Sequence, residues 1–202
     1  MSRTRLNKSA LTRERAKLQL YERILPSLDL KRRQLTLAVE QERRALEEQL
    51  AAGAAIESRI GDALPMLANP RMSLSGLVRI TGVDIEQENF VGVRLPKLTG
   101  VAFEVAPYSL LSKPAWVDLL VERLREAAEH ALRIQVGQDR LEKLEHARRR
   151  TTQRVNLFER RLIPEARRTI QRIRIVIGDL ERDAVVRSKI AKAKHRPAQG
   201  AS

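Results

Sequence analysis

Cysteine is absent from the 202-residue chain, which removes disulfides, thiolate metal sites and thiol nucleophiles together. Aromatic residues make up only 3%. Phe, Tyr and Trp usually supply much of the buried area of a large core, so the composition argues against a big globular interior. The three histidines, His130, His146 and His195, are too scattered for a zinc site. No run of about 18 apolar residues occurs, so no membrane-spanning helix is expected. The basic stretch Met1–Ala10 is followed by charged residues where a signal peptide needs an apolar segment. A soluble, intracellular chain without a bound cofactor is the expectation.

What remains is rich in one texture. Hydrophobic residues reach 43%, mostly Leu, Ile, Val and Ala, set among Arg, Lys, Glu and Gln. This is the mixture of long helices and coiled coils. Four zones follow. Residues 1–68 form a helix-rich segment containing Pro26, Gly53 and Gly61. Residues 69–113 concentrate Gly, Pro and β-branched types. Residues 114–194 are again helix-forming, interrupted by Gly137, Pro164 and Gly178. Residues 195–202 read as a disordered tail.

The third zone has the clearest period. Leu120, Leu124, Ala127, Ala131, Ile134, Gln138, Leu141, Leu144, Arg148, Thr151, Val155, Phe158 and Leu162 step by fours and threes. That is the 3.5-residue signature of a seam facing another helix. One doubled three, at Gln138–Leu141–Leu144, predicts a local slip that overwinds the coil. Beyond Pro164 the stripe resumes with Ala166, Ile170, Ile173, Ile177, Leu180 and Ala184. A helix of this length spans roughly 120 Å, against a radius of gyration of about 17 Å for a compact domain of this size. An elongated unit is therefore expected. Ser112-Lys113-Pro114 suits a helix start. Pro164 predicts a bend rather than a stop, because the stripe continues past it.

The first zone carries a looser stripe: Leu11, Leu18, Tyr21, Leu25, Leu28, Leu35, Val39, Leu46, Leu50, Ile56, Ile60, Leu64 and Leu67. Two long helices with one narrow seam each bury those seams most simply against each other. The expected fold is therefore mainly all-α: a long antiparallel two-helix coiled coil with a small irregular or β-hairpin region at its tip. The hairpin reading rests on Leu77, Val78, Ile80, Val83 and Ile85, then the polar trio Gln87-Glu88-Asn89, then Phe90, Val91, Val93 and Leu95, ending at Pro96. Such a hairpin is marginal alone and needs packing against the helices or a partner.

Chemistry-bearing motifs are missing. There is no phosphate-binding GxxxxGK[ST], no GxGxxG, no HExxH and no GxSxG. Glu122, Glu126, Glu129, Asp139, Glu142 and Glu145 have Arg and Lys neighbours on helix faces and read as solvated surface pairs. Catalysis is not expected, since a two-helix rod offers no concave site that excludes water. Charge, by contrast, is lopsided. The chain has 39 Lys and Arg against 25 Asp and Glu, a net +14. Between His146 and Arg174 stand ten arginines opposed only by Glu159 and Glu165. Arg3, Arg5, Lys8, Arg13, Arg15 and Lys17 add to the same terminal end of an antiparallel hairpin. A surface that meets acid is one reading, and a solvated charged rod is the other. Arg148, on the seam, is expected to pack its stem and extend its guanidinium to water.

Some segments are familiar. Thr151-Thr152-Gln153-Arg154-Val155-Asn156-Leu157-Phe158-Glu159, followed by Ile163-Pro164 and then Asp179-Leu180-Glu181-Arg182 with Arg187, Lys189 and Lys192, resembles the D subunit of the V-type (vacuolar/archaeal-type) ATPases and ATP synthases. Asn89-Phe90-Val91-Gly92-Val93-Arg94-Leu95-Pro96 is similar to that family's N-x-x-G-V-x-x-P stretch. The resemblance covers about residues 7 to 194. It is weaker in the first helix, at Leu28-Asp29-Leu30-Lys31-Arg32-Arg33, and Pro26 is untypical there. Gln153-Arg154 and Leu157-Phe158 also depart from the family's Arg pair and Ala-Leu.

The resemblance implies a non-catalytic central rotor shaft standing inside a ring of A and B subunits. ATP hydrolysis in the ring turns it, or ion flow turns it in reverse. The F subunit of the central stalk and a membrane-rotor adaptor are the further partners. The complex is cytoplasmic and peripheral to the membrane, with no direct membrane insertion. The seam assigned to the shaft is Leu120, Leu124, Ile134, Leu141, Leu144, Val155, Phe158, Leu162, Ile170, Ile173, Ile177 and Leu180. The ring-facing basic surface is Arg154, Arg160, Arg161, Arg167, Arg168, Arg172, Arg182 and Lys189. The hairpin is marked by Asn89, Gly92, Val93 and Pro96. Two other classes compete. A basic coiled-coil arm would bind nucleic acid or a ribosome, but the chain lacks stacking aromatics. A membrane-surface scaffold would need an apolar face opposite the basic one, which narrow seams do not supply.

Overall fold

The computed structural model describes residues 7–63, 77–105 and 116–195. The elements run α1 (Lys8–Ala63), β1 (Val78–Phe90), β2 (Val93–Val105), α2 (Trp116–Leu157), a π-helical turn (Phe158–Leu162) and α3 (Ile163–His195). The Ser112–Pro114 helix start, the stripe positions Leu64 and Leu67, the basic residues Arg3 and Arg5 and the tail 196–202 lie outside the described residues. The chain divides into two compact units. One comprises Met1–Leu30 with Thr151–Ser202, and the other Lys31–Arg150.

In the first unit, α1 begins at a cap the sequence pattern did not reveal. Asn7 Oδ1 accepts the backbone N–H of Ala10 at 2.8 Å, and the Asn7 carbonyl accepts Leu11 N–H at 3.0 Å. These bonds satisfy donors that a helix start otherwise leaves open. The helix continues through Pro26. α3 runs antiparallel to this part of α1: Lys8 pairs with Glu181 at 3.1 Å and Glu22 with Arg167 at 2.8 Å. Val155, Ile163, Ala166, Ile170 and Ile173 are buried. Tyr21 meets Phe158 edge-to-face, with ring centroids 5.4 Å apart and planes at 84°, a geometry that aromatic quadrupoles favour.

Pro164 does not stop the helix. Its ring would clash with the carbonyl four residues back in a regular helix. The chain widens just before it: Phe158–Leu162 is π-helical, and Ile163 N–H donates to Phe158 O, five residues back. The helix accommodates the proline by this wider turn and resumes as α3.

In the second unit, α1 and α2 are antiparallel as well, with Glu42 on Arg140, Arg43 on Glu145 and Gln49 on His130. The buried centre joins both helices to the hairpin. Leu35, Val39, Leu144 and Leu95 are almost fully buried, with Ala38 beside them and Phe90, Val93, Leu141 and Ala147 packed around. Each large side chain sequestered in this way contributes about 1.5–3 kcal/mol. A second cluster sets Leu77 against Val117 and Leu120, with Val78 and Leu124 around it. Thus the hairpin base packs at the start of α2 and its turn end packs near Leu144. The lengths agree: a 13-residue strand spans about 43 Å, and α2 rises about 40 Å from Val117 to Leu144. The hairpin lies back along the helical pair, which supplies the packing it needs.

The strands are longer than expected, and their turn lies elsewhere. Gln87, Glu88 and Asn89 sit inside β1, paired with Pro96, Leu95 and Arg94. The reversal is made by Val91 and Gly92, with φ of 51° and 77°. Positive φ at both central residues is the two-residue turn that matches strand twist. The Gly92 N–H donates to Asn89 Oδ1 at 2.9 Å, so the polar residue supports the turn from outside it. Two bulges interrupt the ladder, at Ile80/Gly82 and Asp84/Ile85. Their extra residues are threonines: Thr81 Oγ1 donates to Ala102 O and Thr99 Oγ1 to Asp84 O. Pro96 is tolerated inside β2 because both strands of a two-stranded sheet are edges.

Candidate interaction surface

The basic surface is built by helix phase. Along the last turn of α2, the π-helical turn and α3, the buried positions Val155, Ile163, Ala166, Ile170 and Ile173 face inward. A residue one step from an inward position is rotated by about 100°. Arg167 and Arg172 therefore flank the seam, and Arg168 points away from it. All eight residues assigned from the sequence, Arg154, Arg160, Arg161, Arg167, Arg168, Arg172, Arg182 and Lys189, are exposed.

Few of them are neutralised. Arg167 pairs with Glu22 at 2.8 Å and Arg182 with Asp179 at 3.5 Å. Arg154, Arg160, Arg161, Arg168, Arg172 and Lys189 have no ion pair among the described residues. The charge is concentrated by unit. Met1–Leu30 with Thr151–Ser202 carries 20 Lys and Arg against 8 Asp and Glu, whereas Lys31–Arg150 carries 19 against 17. Nearly all of the chain's net +14 thus belongs to the first unit.

The assigned seam residues fall into three groups. Leu144, Val155, Ile170 and Ile173 are buried between helices, and Leu120 is buried against the hairpin base. Leu124, Ile134, Leu141, Phe158, Leu162 and Ile177 are half-buried. Leu180 is 54% exposed, contrary to its assignment to the seam. The reason is where α1 starts: Lys8 already pairs with Glu181. Leu180 thus lies level with the first turn of α1, and residues 181–194 are exposed throughout.

The seam also passes through residues that carry no apolar signal. Gly137 is buried while Gln138 is exposed. A Cβ added at Gly137 would meet Leu46 Cδ1 at 3.4 Å and Gln49 Oε1 at 3.5 Å. Opposite, Gly53 lies against His130 and Ile134, and His130 Nε2 bonds Gln49 O at 2.6 Å. With Gly137 in place of Gln138, the steps His130, Ile134, Gly137, Leu141, Leu144, Arg148, Thr151 and Val155 alternate without the predicted slip. Arg148 is half-buried there. On α1, Leu50 is 47% exposed for the same reason, since Gln49 and Gly53 occupy the inward positions.

Sequence reasoning missed Arg140, which clamps the hairpin to the helices. Its Nε donates to Glu42 Oε1 at 2.9 Å, and its Nη1 to Pro96 O at 3.0 Å, with Glu88 Oε2 at 3.5 Å. The side chain is only 21% exposed. One guanidinium fork thus ties α2 to α1 and to both strands. Of the hairpin residues singled out, Asn89 and Gly92 make the turn, Val93 packs on the core and Pro96 offers its carbonyl to this clamp. Among the described residues no group of three or more His, Cys, Asp or Glu could hold a metal ion, and no helix is long and apolar enough to cross a membrane.

The arrangement defines a helical-pair protein with a clamped β-hairpin and a strongly basic unit. The family model for the ATP synthase D subunit matches residues 10–193, so the chain belongs to the ATP synthase D-subunit family. It is 33% identical over 196 residues to a V-type ATP synthase D subunit of Chlamydia muridarum, covering 96% of each chain. It is 28% identical over 193 residues to the V-type ATP synthase D subunit of Borreliella burgdorferi, covering 96% of this chain and 95% of that one. A Chlamydia caviae protein of the same name is 32% identical over 195 residues, covering 96% of this chain and 94% of that one.

Proposed function

We propose that this chain is a non-catalytic central-stalk, or rotor, component of a V-type ATPase or ATP synthase. It transmits torque between ATP hydrolysis or synthesis in a ring of A and B subunits and ion transport across the membrane. The observation that carries this reading is family membership over almost the whole chain. The exposed, largely unpaired arginines of the first unit support it. The basic helical pair is assigned to the ring interior and the hairpin to the exterior, with the F subunit and a membrane-rotor adaptor as further partners.

The physics of such a part needs no active site. Helical pairs resist twisting because rotation must unseat many packed side chains at once. Exposed ion pairs are individually worth only about 0.2–1 kcal/mol and are screened by salt. A basic surface can therefore leave one set of ring carboxylates and meet the next without a deep trap.

The test is a tagged pull-down from detergent-solubilised native membranes, with stoichiometry read from stained bands. The expected result is two large subunits in equal amount, each threefold over this chain, carrying ATPase activity. Recovery of nucleic acid alone, released by moderate salt, would support a basic nucleic-acid-binding arm and overturn the rotor reading.

A further inference from the structure

Within the first unit, α1 and α3 leave a groove of about 600 Å³ between them. Its polar lining is Arg15, Gln19, Glu22, Arg167, Gln171 and Arg174, over a floor of Leu18 and the buried Ile170. We propose that this groove binds a small phosphate-bearing anion of the oligophosphate class. The proposal stands on the groove itself and does not depend on the rotor reading.

The argument starts from donors. Three arginines and two glutamines line one concavity, and Glu22 is the only acidic residue lining it among the described residues. Glu22 is already paired with Arg167 at 2.8 Å. Arg15 and Arg174 have no ion pair among the described residues, so two positive charges line the groove unmatched. A groove with an apolar floor focuses the field of such charges more than a flat surface does. Guanidinium forks match the oxygens of phosphate in bidentate geometry, and carboxamide N–H groups add neutral donors.

Charge density decides between ligand classes. A protein carboxylate brings one charge on a side chain, and a second must arrive on another residue. A phosphate group brings about 1.5 to 2 charges on one tetrahedral centre, which suits two unmatched arginines lining one groove. The volume lies within the usual range of small-molecule sites, about 300–1,000 Å³, and exceeds one phosphate. A short phosphate chain, free or as the tail of a nucleotide, fits this description.

The test uses the full chain, with tripolyphosphate as the probe, titrated calorimetrically at physiological salt. Arg15→Gln combined with Arg174→Gln removes the two unmatched charges. Arg187→Gln combined with Lys192→Gln removes the same charge from exposed positions outside the groove. The expected result is one saturable site, weakened about tenfold or more by the groove pair and little changed by the outside pair. Circular dichroism confirms equal helicity. In the unsubstituted chain, the Gln19 and Gln171 side-chain amide resonances should shift on titration. ATP binding as tightly as tripolyphosphate would identify the phosphate chain as the recognised group, and tighter binding would identify a nucleotide; both support the site. Equal weakening by the two pairs would reduce the effect to general polyanion attraction and overturn it. So would no saturable binding, including the case where an Asp/Glu-rich peptide binds in its place.

Discussion

At the scale of single residues, Val91 is the one non-glycine residue with a positive φ among the described residues. A β-branched residue at φ 51° stands where L side chains pay about 1–2 kcal/mol. Val91→Asn should therefore stabilise the chain by about 1 kcal/mol, because Asn-Gly is the dipeptide this turn favours. A urea unfolding midpoint checks it, and an unchanged or lower midpoint would show that Val91 packing outweighs the strain. The turn was only partly legible in the sequence. Gln87-Glu88-Asn89 looks like a loop because it is polar, yet a two-stranded sheet leaves those side chains in water. The seam was misread where Gly137, Gly53 and Gln49 face inward, since close helix approach selects small or bonded groups that carry no hydrophobic signal. Leu180 was misread because periodicity does not report where the partner helix begins.

At the scale of elements, the two long helical segments and the existence of the hairpin were legible from period and composition, whereas the division of the second segment into α2 and α3 was not. The π-helical turn was legible only as a disturbance at Pro164. The way the hairpin lies was not legible, because it depends on a clamp between residues far apart in sequence: Arg140, Glu42, Glu88 and the Pro96 carbonyl. Arg140→Gln should loosen the hairpin without unfolding the pair. Hydrogen bonds to charged groups are worth about 1.5–3 kcal/mol, and partial exposure reduces this to about 1–2 kcal/mol here. Amide hydrogen exchange in β1 and β2 should speed up accordingly. Arg43→Gln, which breaks a more exposed pair with Glu145, should change exchange much less. Equal effects from both would deny Arg140 its special place.

At the scale of the whole molecule, the sequence shows that the charge is lopsided, and the structure shows which unit holds it. That asymmetry gives the rotor account a chemical handle. Changing Arg160, Arg161, Arg167 and Arg168 together to Glu reverses the sign of an exposed stretch without touching a buried residue. The assembled complex should then lose coupled ATP turnover by severalfold at low salt, with a smaller loss at high salt because screening weakens surface charges. Full coupled turnover in a correctly assembled variant would remove those arginines from the mechanism.

The central claim is that this chain turns inside its complex. Because it contains no cysteine, a single Glu86→Cys substitution, on an exposed residue of β1, gives a unique attachment point for an optical probe. The complex, built with partner subunits lacking reactive thiols, is fixed to a surface through its A and B subunits and supplied with ATP. The account predicts one-way rotation of the probe in three equal steps per turn. A probe that stays still while the same complexes hydrolyse ATP would contradict it.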